Sequence, residues 1–200
     1  MEPVARAKTL EVSLLAITPD AQKVIEYAGR TCWQSFERIG ADSSDTFIKR
    51  LIEMGHETPL EHACATFEIK NCSRAMTHQI VRHRLMSVCQ QSQRYVEEDE
   101  LDYVVPPAVS ENDRQEFQND MQAIAGMYAR WRQKGLKKED ARFVLPNACT
   151  SNIVVTANFR EWRHIFSVRL EKAAQWEIRT ACQAMLDILR KHSAACFWDI

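Results

Sequence analysis

Three guanidiniums, one imidazole, two hydroxyls, three side-chain amides and a phenol fall within the fourteen residues Arg82 to Tyr95. Arginine is a planar fork of donors that meets phosphate or carboxylate oxygens two at a time. Serine and glutamine fix an orientation through neutral hydrogen bonds. Aliphatic residues are few, so the segment can build little core, and its chemistry suits an anionic, hydrogen-bond-rich small molecule such as a nucleotide. The plainer alternative is a solvated basic turn, and the residues just before the segment weigh against it. Ser73 can cap a helix that runs from about Arg74, with Met76 and Ile80 on its buried stripe. Gln79, Arg82 and His83 then stand at i, i+3 and i+4, on one helix face.

The rest of the chain supplies the elements that position this segment. Thr9–Ile17 predicts a strand with Leu10, Val12, Leu14 and Ala16 on one side. Thr18-Pro19-Asp20 predicts a helix start capped by Thr18, with Val24 and Ala28 facing inward, fraying near Gly29. Arg30–Trp33 reads as a turn. Ser43–Met54 predicts a second helix, burying Phe47 and Leu51 and stopped at Gly55. The loop His56–His62 holds two His and two Glu, but its pattern is not His-Glu-x-x-His on a helix and Pro59 breaks it, so no metal site is read there. Ala63–Lys70 alternates strictly, as a half-buried strand does.

Further on, Glu97–Glu100 reads as a solvated acidic loop and Tyr103–Val105 as a short strand. Phe117, Met121, Ile124, Tyr128 and Trp131 step by 4, 3, 4, 3 along an amphipathic helix that stops at Gly135. Lys137–Leu145 reads as a short helix and Ile153–Ala157 as a strand. Asn158 with Glu161 three residues on resembles a capping box; its helix buries Phe159, Trp162 and Phe166 and carries Arg160 and His164. The last helix carries Ala174, Ile178, Ala181, Met185 and Ile188. The expectation is one α+β domain over 1–200, helix-rich, with a small mixed or antiparallel sheet.

Several familiar mechanisms lack their parts. No Gly-x-Gly-x-x-Gly follows a strand, and five glycines give no phosphate-cradling loop. No Gly-x-Ser-x-Gly elbow is present, and no cysteine has a base marked out beside it. Cations and amides remain, fit to hold charged ligands and stabilise charge developing on them, while a cofactor carries the harder chemistry.

Arg82-His83-Arg84, seven residues and Ser92 resemble the signature of the flavin-dependent thymidylate synthases, as does the Ser92-Gln93-Arg94-Tyr95 ending. Gly55–His62, Ala141–Pro146, Asn158-Phe159-Arg160, and Arg169 followed by Ala174–Ile178 resemble that family's other blocks, in its order. The resemblance implies synthesis of dTMP from dUMP, with 5,10-methylenetetrahydrofolate as one-carbon donor and FAD reduced by NADPH. Carried over by position, it implies Gln79, Arg82, Gln90, Gln91, Ser92, Gln93, Arg94, Arg142 and Arg169 at dUMP, with Arg169 catalytic. Thr58, Glu61, Arg82, His83, Arg84, Gln90, Asn158, Arg160 and His164 match flavin positions, and His56 falls toward the folate and nicotinamide. The family's homotetramer, with sites shared between subunits, is implied too. Cys89-Gln90 replaces the Asn-Glu of many members, His164 an Asn of some, and Lys172 and Ala173 are uncommon choices.

Bulk properties narrow the rivals. Two hundred residues, 46% of them apolar and 26% charged, are enough for a real core. The net charge of −1 argues against gripping nucleic acid by bulk electrostatics, although Arg outnumbers Lys 17 to 9. Seven scattered Cys read as free thiols in a reducing cytoplasm, and no apolar run approaches membrane length. A flavoprotein acting on another pyrimidine nucleotide and an Arg-rich nucleic-acid-binding module are the alternatives.

Overall fold

A computed structural model describes residues 4–96 and 100–200. In chain order the elements are β1 (Val4–Ala7), β2 (Glu11–Ile17), α1 (Ala21–Trp33), α2 (Ser43–Glu53), β3 (Cys64–Ser73), α3 (Arg74–Ile80) and β4 (Met86–Gln90). They continue with β5 (Glu100–Tyr103), α4 (Arg114–Gln133), α5 (Lys138–Ala141), β6 (Thr150–Asn158), α6 (Phe159–Arg169) and α7 (Trp176–His192). The class is α+β with small mixed sheets, as expected. β1 and β5 pair in parallel, and the other sheet runs β2-β3-β6-β4. β3 and β6 run antiparallel: Thr66 Oγ1 meets Thr156 Oγ1 at 2.9 Å, and Phe159 N–H donates to Ala63 C=O.

The chain divides into two compact units. The first comprises Met1–Glu11, Ile69–Ile80 and Cys89–Ile153; the second comprises Val12–Glu68, Val81–Val88 and Val154–Ile200. In the first, Leu101, Tyr103, Met121 and Ala125 form a core with Phe117 and Ile124 packed against it, so the predicted α4 stripe faces inward. In the second, Trp162 stands edge-on to Phe67 and stacks on Phe166, which meets Phe197. The strict alternation of Ala63, Ala65, Phe67 and Ile69 is fully buried on one side.

Several boundaries differ from the sequence reading. β1 was not foreseen, because four residues carry little periodic signal. Thr18 is not the cap of α1; Asp20 precedes that helix in a left-handed conformation, and Thr18 Oγ1 accepts the Cys64 N–H at 2.9 Å instead. α1 continues through Arg30–Trp33 rather than turning, and it buries Ile25 and Gly29 while Val24 is exposed. Ala16 of β2 is exposed, and Phe47 of α2 is only half-buried. The acidic residues 97–99 lie outside the described residues, and Glu100 opens β5 in an ion pair with Arg6. The strand read at Tyr103–Val105 ends at Tyr103, and Lys137–Leu145 splits into α5 and a 3-10 turn, Arg142–Val144. α7 begins after Ala174; Ile178, Ala181 and Met185 face inward as expected, joined by Cys182, Leu186 and Leu189, while Ile188 is half-buried.

Gly29 is a packing position, not a fraying point. A Cβ there would stand 2.7 Å from Phe47 Cε1 and 3.3 Å from Leu51 Cδ1. Alanine is the better helix former, yet overpacking of this kind costs about 1–3 kcal/mol. Gly29→Ala is therefore expected to lower stability in urea unfolding, against its helix propensity; an unchanged or raised midpoint contradicts this packing.

Candidate active site

α6 begins as its sequence dictates. Asn158 Oδ1 accepts the Glu161 N–H at 2.8 Å, and Phe159, Trp162 and Phe166 bury one side. Arg160 and His164 then project from the opposite side. The 3-10 turn Thr58–His62 brings Glu61, and the turn after Val81 brings Arg82, His83 and Arg84. Together they line a cavity of about 1120 Å³ within the second unit, at the large end of ligand sites.

The cavity's charges are partly balanced. Arg160 Nη1 donates to Glu61 Oε1 at 2.6 Å, and Arg163 holds both carboxylate oxygens of Asp199 at 2.7 and 2.8 Å. Those bonds keep Asp199 below the usual aspartate range. Of the wall residues, the sequence reading missed Glu57, Glu161, Arg163, Ser167 and Asp199. Only the capping-box spacing pointed to Glu161; nothing local ties Arg163 to a carboxylate 36 residues on.

His83, on the cavity wall, is paired with Arg169. Arg169 Nε donates to His83 Nε2 at 2.9 Å, so the imidazole proton sits on Nδ1, 3.9 Å from Glu161 Oε1. The His83 side chain is 7% exposed. Burial, then the neighbouring charges of Arg169 and His164, lower its pKa to about 4. Burial pushes the Glu161 carboxyl up, with His164 opposing. A neutral imidazole accepting from a guanidinium fixes the direction of that cation without competing for its charge.

This arrangement predicts a pH effect. Between pH 6.5 and about 4 the unfolded chain binds a proton at this imidazole that the folded chain refuses, so stability rises with pH across that window. The full shift corresponds to about 3 kcal/mol at roughly 1.4 kcal/mol per pKa unit. Glu161 works in the opposite sense, its raised pKa favouring the fold at lower pH. The measurement is therefore a difference: His83→Gln, which keeps an acceptor for Arg169, should lose less stability than the parent on acidification from pH 6.5 to 4.

The first unit holds a second polar cluster. Ser73 caps α3 as predicted, its Oγ accepting the Met76 N–H at 3.0 Å. α3 ends at Ile80, however, so Gln79, Arg82 and His83 do not share a helix face. Gln90 closes β4, and a turn carries Gln91 to Tyr95. Arg94 Nε donates to Glu139 Oε2 at 3.0 Å, while Arg142 Nε donates to the Glu139 backbone carbonyl at 3.1 Å. Gln79, Gln90 to Arg94 and Arg142 thus belong to this unit, and Arg82 and Arg169 to the other. Of the expected flavin set, Gln90 falls in the first unit, and Thr58 does not line the cavity. His56 stacks on Trp33 with ring centroids 6.0 Å apart.

Among the described residues no group of three or more His, Cys, Asp or Glu could hold a metal ion. No described helix is long and apolar enough to cross a membrane. Cys182 and Cys196 are buried thiols pushed up to about 12, poor nucleophiles at neutral pH.

The α+β fold thus carries a cavity walled by Arg82, Arg84 and Arg160, and in its first unit an Arg, Gln and Ser cluster, donors of the kind that suit anionic ligands. The family model of Thy1, thymidylate synthase complementing protein, matches residues 13–193. A flavin-dependent thymidylate synthase of Geobacter sulfurreducens is 42% identical over 200 residues, covering 95% of this chain and 86% of the relative. Those of Pyrococcus furiosus (41%, 84% of this chain, 71% of the relative) and Nitratidesulfovibrio vulgaris (40%, 90% and 82%) are similar as well. The chain belongs to the Thy1 family, the flavin-dependent thymidylate synthases, and is a flavin-using enzyme.

Proposed function

We propose that this enzyme methylates dUMP to dTMP, with 5,10-methylenetetrahydrofolate as carbon donor and NADPH as reductant of bound FAD, the whole of 1–200 serving as one catalytic domain. The observation that carries the reading is the cavity of about 1120 Å³ with Arg82, Arg84 and Arg160 on its walls beside Asn158 and His164. This donor set fits a flavin nucleotide: guanidiniums suit its pyrophosphate, and amide and imidazole suit the oxygens and nitrogens of its ring. FAD, when bound, supplies the hydride chemistry that no side chain here can.

The chain's own residues bind, orient and polarise. Arg82, Arg84 and Arg160 hold phosphates, with Glu61 fixing Arg160. The Asn158 carbonyl is occupied as a helix cap, so its amide donors are what remain for a ligand. Gln79, Gln91, Ser92, Arg94 and Arg142 of the first unit are assigned to the nucleotide substrate, and so, each in its own unit, are Arg82 and Arg169 of the second. Uracil C5 becomes nucleophilic only as electron density moves from N3 and the carbonyl oxygens into the ring. A guanidinium held by His83 favours that charge without needing to move. His56, against Trp33, serves the folate and nicotinamide side.

A homotetramer with shared sites and a cytoplasmic location complete the reading. The test is an absorption spectrum of the purified protein, then incubation with NADPH, methylenetetrahydrofolate and either dUMP or dCMP, read by product mass. Flavin bands and a methylated uracil nucleotide are expected. A colourless protein after FAD addition, or product from dCMP alone, sinks the proposal, and a fully active monomer in sedimentation sinks the shared site.

A further inference from the structure

Two of the glutamines in the signature segment turn inward. Gln93 is 7% exposed; its Nε2 donates to Cys149 Sγ at 3.1 Å and its Oε1 accepts from Arg74 Nη2 at 3.2 Å. An amide held at both ends cannot flip. Gln90 Nε2 donates to Thr77 Oγ1 at 3.0 Å and to Ser151 Oγ at 3.1 Å. Ser151, 2% exposed, also accepts from Arg74 Nη1 at 3.4 Å. One hub of Arg74 and Ser151 therefore grips the residues on either side of Gln91-Ser92. From outside, Gln91 N–H donates to Asn152 C=O at 2.8 Å, and Ser92 Oγ accepts the Arg94 N–H at 3.2 Å.

We propose that Arg74, which lies in none of the motif blocks, is a positioning residue that sets the conformation of Gln91–Arg94, and that Gln90 and Gln93 are its anchors rather than ligand contacts. The ligand-facing groups of this segment are then Gln91, Ser92 and Arg94. The guanidinium suits this task because its fork reaches Gln93 and Ser151 from one fixed plane, which a lysine ammonium cannot do. The consequence for dUMP affinity rests on the function proposed above; the consequence for the segment itself does not.

The test uses the FAD-loaded full chain with Arg74→Met, Arg74→Lys and Ser151→Ala. Without nucleotide, amide exchange of Gln91–Arg94 should quicken about tenfold or more in Arg74→Met, the loss expected for hydrogen bonds to a charged group. Lys should rescue little. Binding of dUMP and of deoxyuridine should weaken together, by about tenfold in Arg74→Met and less in Ser151→Ala, while FAD affinity stays within about twofold of the parent. Unchanged exchange in Arg74→Met and Ser151→Ala overturns the positioning role. Weakening confined to dUMP makes Arg74 a direct phosphate contact and overturns it equally. If Arg74→Met does not fold, Arg74→Lys and Ser151→Ala decide the matter by the same exchange measurement. Faster exchange in Arg74→Met, alongside a parent that binds no uracil nucleotide, would uphold the positioning role and reject the proposed function alone.

Discussion

Arg169→Ala should lower dTMP formation by about 10²–10³ while leaving the fold and the flavin content intact, the usual consequence of removing a preorganised charge-stabilising donor. Arg169 ends α6, where a cation complementing the helix dipole is worth under about 1 kcal/mol. The bond from its Nε to a buried neutral imidazole distinguishes the two roles, because a mere dipole partner needs no such clamp. Arg169→Lys should rescue poorly, since an ammonium cannot reproduce the planar fork. His83→Leu should reproduce part of the loss by freeing the guanidinium, and His83→Gln less of it. The measurement separates dTMP formation from dUMP-dependent flavin oxidation, after melting temperature and bound FAD have been checked. Near-normal flavin oxidation in both Arg169 variants would falsify the role.

The largest stability effect is expected at Arg163. Its side chain is 9% exposed, holds both oxygens of Asp199 and the Cys196 carbonyl at 2.7 Å, and lies 3.5 Å from Glu57. Removing one partner of a buried ion pair leaves the other uncompensated and costs about 3–5 kcal/mol. Asp199 is 29% exposed and can be partly rehydrated, so Arg163→Met should fall toward the lower end. Arg160 on the same helix is the control: its pair with Glu61 is shorter, at 2.6 Å, but the side chains are 50% and 43% exposed. Exposed pairs contribute about 0–1 kcal/mol, so Arg160→Met should hardly move the urea midpoint. Equal losses at the two positions would show that burial is not what separates them.

The elements that position the site were legible wherever a single stretch of chain decides its own structure. The alternation from Ala63 to Ile69 marked β3, the stripe from Phe117 to Tyr128 marked α4, and the caps at Ser73 and Asn158 stand where their spacing put them. Each depends on residues within a turn or two, so the pattern and its physical cause lie in one window. The family blocks likewise named Arg82, His83, Arg84, Asn158, Arg160 and His164, which do gather around one cavity.

Tertiary structure decided which of the polar side chains are instruments and which are fastenings. Gln90 and Gln93 looked as available as Gln91 and Ser92, because a glutamine's type does not say whether its amide meets a ligand or a serine 61 residues away. The partners of Arg169 and Arg163 lie 86 and 36 residues distant, and no local pattern encodes such pairings. Nor could sequence show that His83 is neutral: its proton affinity is set by burial and by the cations that folding brings beside it. Residue type and spacing determined what donors this chain owns; folding determined which were satisfied internally and which were left facing the cavity.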